Sequence, residues 1–144
     1  ERRPRESADE ISKALIDKAR SLDSEIKKGM DNIDFSYSLN SIWALIAMAN
    51  KSIEEKAPWK LFKENKLDEL KDMMYDLCEI LRIVSVALTP FMPGTAIKMA
   101  EQLGLGKRER SFSDLKWGLL SPGTKTNKGL PLFPRIDTMT EEKE

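Results

Sequence analysis

Apolar residues recur along this chain at helical spacing, with no stretch of strand-like alternation. Ile11, Leu15, Ala19, Leu22 and Ile26 are separated by steps of three or four, which places them on one helical face. Ser7 and Glu10 have the spacing of a capping box, so the first helix is expected to start there and to stop at Gly29. A second stripe runs through Leu39, Ile42, Trp43, Ile46, Ala49, Ile53 and Ala57. Asp34 is a good cap at its start, and Pro58 cannot continue it. Trp59, Leu61 and Phe62 then fall in a short connector of about one helical turn. A third helix is predicted after Asn65, with Leu67, Leu70, Met74, Leu77, Leu81, Val84 and Leu88 as its apolar face. Met73, Ile80, Ile83 and Val86 widen that face, which marks this helix as central and most buried. Thr89-Pro90 ends it. Pro93 opens a fourth helix carrying Ala96, Met99, Ala100 and Leu103, which stops at Gly104.

Beyond Gly104 the pattern is broken by Gly106, Gly118, Pro122, Gly123, Gly129, Pro131 and Pro134. Ser113 to Trp117 suits a single turn. Phe112, Leu115, Trp117, Leu119, Leu132, Phe133 and Ile136 are apolar enough to strap an extended tail onto the helices. The predicted fold is an all-α antiparallel bundle of four main helices with a strapped, mostly irregular C-terminal tail. Residues 1–137 form the bundle and strap, and residues 138–144 a frayed acidic end.

At 144 residues one core suffices, since a chain of this size buries roughly 68–70% of its extended surface. With 40% hydrophobic and 33% charged residues, the composition suits a soluble, highly charged helical domain. No apolar run approaches the roughly 20 residues a membrane helix needs, and no charged-then-apolar leader begins the chain. Glu1 in place of Met is the mark expected of a fragment. Histidine is absent, which excludes the commonest general base and most zinc sites. Cys78, the single cysteine, cannot form an internal disulfide; flanked by apolar neighbours, it reads as an inert buried thiol suited to a reducing cytoplasm. The methionines sit mostly at core spacing and require no cofactor. Formal net charge is zero, so the global field points to no partner. Basic residues outnumber acids between Lys98 and Ile136, which allows a mildly basic C-terminal face or simply a solvated loop.

Trp59 is the residue with the most suggestive chemistry. Directly after a helix-breaking proline, its backbone is fixed and its ring belongs to neither neighbouring stripe. Such an indole can stack on a splayed RNA base, or it can plug a gap between helices as most tryptophans do. Lys60, Lys63 and Lys56 are the nearby cations placed for diffuse phosphate contacts, although Glu54-Glu55-Lys56 also reads as a solvated charge run. Lys125-Thr-Asn-Lys128-Gly is a solvent loop, because no Gly-rich strand–helix cradle stands beside it to hold a nucleotide. Arg135 is placed either to pair with a carboxylate, on the bundle or on a domain outside this chain, or to stay a surface arginine.

Three segments in order, Asn50-(x)7-Pro58-Trp59, Leu88-Thr-Pro-Phe-Met-Pro93 and Leu132-Phe-Pro-Arg-Ile-Asp137, resemble the C-terminal anticodon-binding part of methionyl-tRNA synthetases. The resemblance spans nearly the whole chain, from about Ile11 to Asp137. It implies that Trp59 meets the first base of the CAU anticodon of methionine tRNA and that Pro58 positions it. Asn50, about two turns away, is expected to be a buried, hydrogen-bonding structural residue. The closing Leu-Phe-Pro-Arg-Ile-Asp motif is expected to be mainly structural. The family also reads the anticodon with an Asn and an Arg on an earlier helix, expected before residue 1; neither has a match in this sequence. Its class I nucleotide site depends on a histidine-containing motif that is likewise missing. The resemblance therefore implies a cytoplasmic methionine–tRNA ligase that uses ATP with magnesium in an absent catalytic domain. This fragment itself holds no catalytic residue, metal or cofactor. The implied partners are the methionine tRNA anticodon stem-loop and the parent catalytic domain, with no membrane. Two alternatives stay open on the residues alone: a helical protein–protein docking module, or the equivalent domain of a class I synthetase for cysteine or an aliphatic amino acid.

Overall fold

A computed structural model describes residues 9–106 and 110–135. Among them the chain forms α1 (Glu10–Asp31), α2 (Phe35–Lys56), α3 (Pro58–Lys63), α4 (Leu67–Ala87) and α5 (Pro93–Gln102), followed by one 3-10 turn at Phe112–Leu115. The predicted all-α bundle of four main helices with a one-turn connector is what is found. A three-residue link turns α1 back on α2, and these two pack along each other, with α4 against both and α5 against α4.

The ends of α1 differ from expectation. Ser7 lies outside the described residues, and the observed cap is Asp9, whose carboxylate accepts the Ser12 amide at 2.9 Å. Gly29 does not stop the helix, which runs on to Asp31. The glycine serves contact instead: a Cβ there would lie 2.1 Å from Ser38 Oγ and 2.9 Å from the Asp34 carbonyl, so α1 and α2 cross closely at this point. The stop comes from Ile33, in the left-handed region at φ 57, with the Asp34 amide reaching back to the Gly29 carbonyl at 2.7 Å. An L-residue pays about 1–2 kcal/mol for that conformation, and a β-branched one is an outlier in it.

Two stripes are rotated from their predicted faces. In α2, Ile42 and Leu45 are fully buried whereas Trp43 is half exposed. In α4, Leu67, Met74 and Leu81 point to solvent, and the core side consists of Met73, Ile80, Ile83, Val84 and Ala87. For α4 the cause lies in the last third of the chain. α4 is covered on its polar side too, so Glu79, Arg82 and Ser85 are buried beside the apolar residues.

That cover is the strap, and its main fastening is polar. The Glu79 carboxylate accepts three consecutive amides, from Gly118 at 2.6 Å and from Leu119 and Leu120 at 3.0 Å. It also takes a bidentate pair of bonds from Arg82, both at 2.8 Å. Arg82 donates onward to the carbonyls of Asp114 and Lys116, each at 2.6 Å. Leu115 and Leu120 are buried, and Trp117 and Leu132 pack partly on the core. Phe112, Leu119 and Phe133, expected to anchor the tail, are exposed, and Ile136 lies outside the described residues. Lys125 and Lys128 are exposed on a segment sewn to the end of α5 by Asn127, whose amide donates to the Gln102 carbonyl at 2.7 Å.

Candidate nucleic-acid interface

The connector at the end of α2 builds the site. Pro58 cannot extend α2, and its ring disfavours right-handed helix at the residue before it. Ala57 accordingly turns the chain through the left-handed region (φ 46, ψ 72), held by its amide on the Ile53 carbonyl at 2.9 Å. Pro58 then occupies the first position of α3, where its missing N–H costs nothing. The far end of α3 closes with Asn65 left-handed at φ 57 and the Lys66 amide on the Leu61 carbonyl at 2.9 Å. A six-residue helix is thereby pinned at both ends, and none of its side chains is buried.

Its exposed side carries Trp59, 54% exposed, and Phe62, 68% exposed. Residues three apart on a helix are neighbours, so the two rings lie on one face. Lys60 and Lys63 are exposed beside them. Trp59 therefore fills no gap in the core. Two neighbouring residues depart from expectation. Asn50 is exposed rather than buried, because it follows the core residue Ala49 by about 100° around α2 and falls on the outer side. Lys56 is not a free cation: its ammonium is 2.7 Å from Asp9 Oδ2, bonds Ser12 Oγ as well, and its side chain is only 17% exposed.

Below this cluster lies Asp76 of α4, 7% exposed. Burial pushes its carboxyl up to about 6; Lys56 and a hydrogen bond from Ser12 oppose the shift, while Asp72 and Asp9 reinforce it. A carboxyl raised above its unfolded value of 3.8 favours folding most below that value, and the contribution is lost as pH rises through about 6. Asp76→Asn is thus expected to be about 1–3 kcal/mol more stable than the parent at pH 8, with the gap closing by pH 4. Urea denaturation at the two pH values measures this.

Elsewhere, Arg135 is exposed and makes no ion pair among the described residues. Cys78 is half buried, and burial pushes its thiol pKa up, as for an unreactive cysteine. An apolar groove of about 660 Å³ opens between Met30, Phe35, Trp43, Phe91 and Met92. Phe35 is at the start of α2, about 30 Å along the helix from Lys56, and no cation lines the groove, so it forms no part of a polyanion site.

A family model described as the anticodon binding domain of methionyl tRNA ligase matches residues 5–143. The chain belongs to this family. The methionine–tRNA ligase of Caldanaerobacter subterraneus subsp. tengcongensis is 43% identical over 136 residues, which is 94% of this chain and 21% of that protein. The Bacillus subtilis ligase is 44% identical over 118 residues, 80% of this chain and 18% of the relative. The chain thus spans about a fifth of the length of these curated relatives. The crystal structure of apo Mycobacterium tuberculosis methionyl-tRNA synthetase superposes with a TM-score of 0.83 at 29% identity, covering 92% of this chain and 27% of that one.

The family assignment agrees with the three motifs from which the resemblance was drawn. For this anticodon-binding domain, two features of the connector escaped the sequence reading. Phe62 had a usable signal, its position three residues after Trp59. The cluster of Asp9, Ser12, Lys56 and Asp76 had none, because Asp9 and Lys56 are brought together only by the pairing of α1 with α2.

Proposed function

We propose that this domain holds the anticodon stem-loop of methionine tRNA, with the CAU anticodon, and that Trp59 stacks on an anticodon base. The observation that supports this reading is a half-exposed indole on a helix that buries none of its own side chains. Stacking needs an open ring face, and α3 offers one, with Pro58 setting its direction. Lys60 and Lys63 are assigned the phosphate contacts; Lys56, engaged in its ion pair, is left out of that set. A stack accepts any base, so discrimination must come from base-edge donors. We place those in the remaining four-fifths of a cytoplasmic methionine–tRNA ligase, whose catalytic domain uses ATP with magnesium to charge the tRNA. Among the described residues no helix is long and apolar enough to cross a membrane.

A salt series tests the phosphate assignment. For a single strand, each neutralised phosphate contributes about 0.7 to the slope of log K against log salt. Lys60→Ser with Lys63→Ser should therefore flatten the slope for a labelled CAU stem-loop by about 1.4. A complex indifferent to salt in the parent protein would instead mark an apolar protein interface.

A further inference from the structure

We propose that Lys56 is a positioning residue for the Trp59 indole, acting through an ion-pair cluster that ties the end of α2 to the start of α1. The inference rests on the reading that Trp59 meets an anticodon base. α3 lies against α4 and the end of α2 but buries none of its side chains, so it has little packing of its own to fix its direction. Of its two pinned ends, the Asn65 turn joins it to α4, and the residues just before Pro58 join it to α2. Ala57 is left-handed and 5% exposed, and its carbonyl accepts the Lys60 amide at 2.7 Å and the Leu61 amide at 3.3 Å. Any movement of Ala57 is therefore passed directly into α3.

Lys56 holds that point. It is the last residue of α2, and its ammonium reaches across to Asp9 Oδ2 at 2.7 Å and to Ser12 Oγ. Asp9 is itself the cap of α1, and the Lys56 charge also opposes the effect of burial on the Asp76 carboxyl of α4. Three helices thus converge on one side chain, immediately before the strained turn that aims the indole. A lysine whose role was to meet phosphate would extend its ammonium into solvent, as the exposed Lys60 and Lys63 are free to do.

The test follows Trp59 emission in a background of Trp43→Phe and Trp117→Phe, which leaves a single indole. Lys56→Met should lower the anisotropy of Trp59 and increase its quenching by acrylamide, while Lys56→Arg restores both. Asp9→Ser, which keeps a capping hydroxyl but loses the reach to Lys56, should have the same effect as Lys56→Met. Combining the two should do no more than the stronger single change. With a labelled CAU stem-loop, Lys56→Met should raise Kd about three- to tenfold, with the salt slope unchanged. Unaltered Trp59 anisotropy in a folded Lys56→Met protein would overturn the proposal, as would additive losses with Asp9→Ser. A salt slope reduced by about 0.7 would overturn it too, by making Lys56 a direct phosphate contact. Should Trp59→Ala bind the stem-loop as well as the parent, the RNA reading fails, and the anisotropy comparison still decides whether Lys56 positions the ring.

Discussion

Trp59→Ala is expected to weaken binding of the methionine tRNA stem-loop about 5- to 140-fold. One base–aromatic stack contributes about 1–3 kcal/mol, and each 1.4 kcal/mol is a tenfold change in affinity. The fold should barely notice, because the ring is half exposed on a helix with no buried side chains; a change in stability within about 0.5 kcal/mol is expected. In the complete ligase the same substitution should depress aminoacylation and leave methionine-dependent ATP–pyrophosphate exchange intact, since that half-reaction does not involve the anticodon. Trp59→Phe keeps an aromatic face and should fall between the two. Parallel loss of exchange and aminoacylation in Trp59→Ala would show that the indole is structural.

Glu79→Gln should be the most damaging single change to the fold, at about 3–5 kcal/mol. The carboxylate is fully buried and accepts three backbone amides and a bidentate arginine. A glutamine cannot satisfy them: its amide nitrogen is a donor facing donors, and the Arg82 charge is left buried and unpaired. Total stability of a domain is about 5–15 kcal/mol, so the loss is a large share of it. At about 3 °C per kcal/mol for a chain of this size, Tm should fall by about 9–15 °C. The strap should loosen first, which predicts a red shift of Trp117 emission and cleavage by added protease between Gly104 and Leu120. Arg82→Met combined with Glu79→Gln should cost little more than Glu79→Gln alone, because both residues serve one network. A Tm within about 2 °C of the parent for Glu79→Gln would show that the strap is held by Leu115 and Leu120 instead.

The helices themselves were legible because local chemistry defines them. Asp34 caps α2, Pro58 ends it, and Pro93 opens α5, and each acts through its own backbone or a side chain a few residues away. The outward Trp59 was legible only in part: a Pro-Trp step leaves the ring outside both neighbouring stripes, but the residues alone also allowed it to plug a gap between helices, and the family resemblance was what favoured an open ring. The faces of α2 and α4 were less so. An apolar stripe records which side chains tolerate burial, and α4 has more of these than it can bury, so Leu67, Met74 and Leu81 looked no different from Ile80 and Ile83.

From residue order alone came the all-α class, the helix count, the one-turn connector and the motif set of the methionyl tRNA ligase anticodon-binding family. These depend on interactions spanning a turn or two of chain, which a linear string contains in full. Tertiary structure alone decided which face of α4 is core, that the strap is fastened by Glu79 and Arg82, and that Lys56 belongs to Asp9 and not to solvent. Each depends on a charge meeting a partner 30 to 50 residues away, or, for Glu79 and Arg82, on the strap that buries both. A side chain's neighbours at that range are set by how helices cross, and nothing in its immediate sequence encodes the crossing.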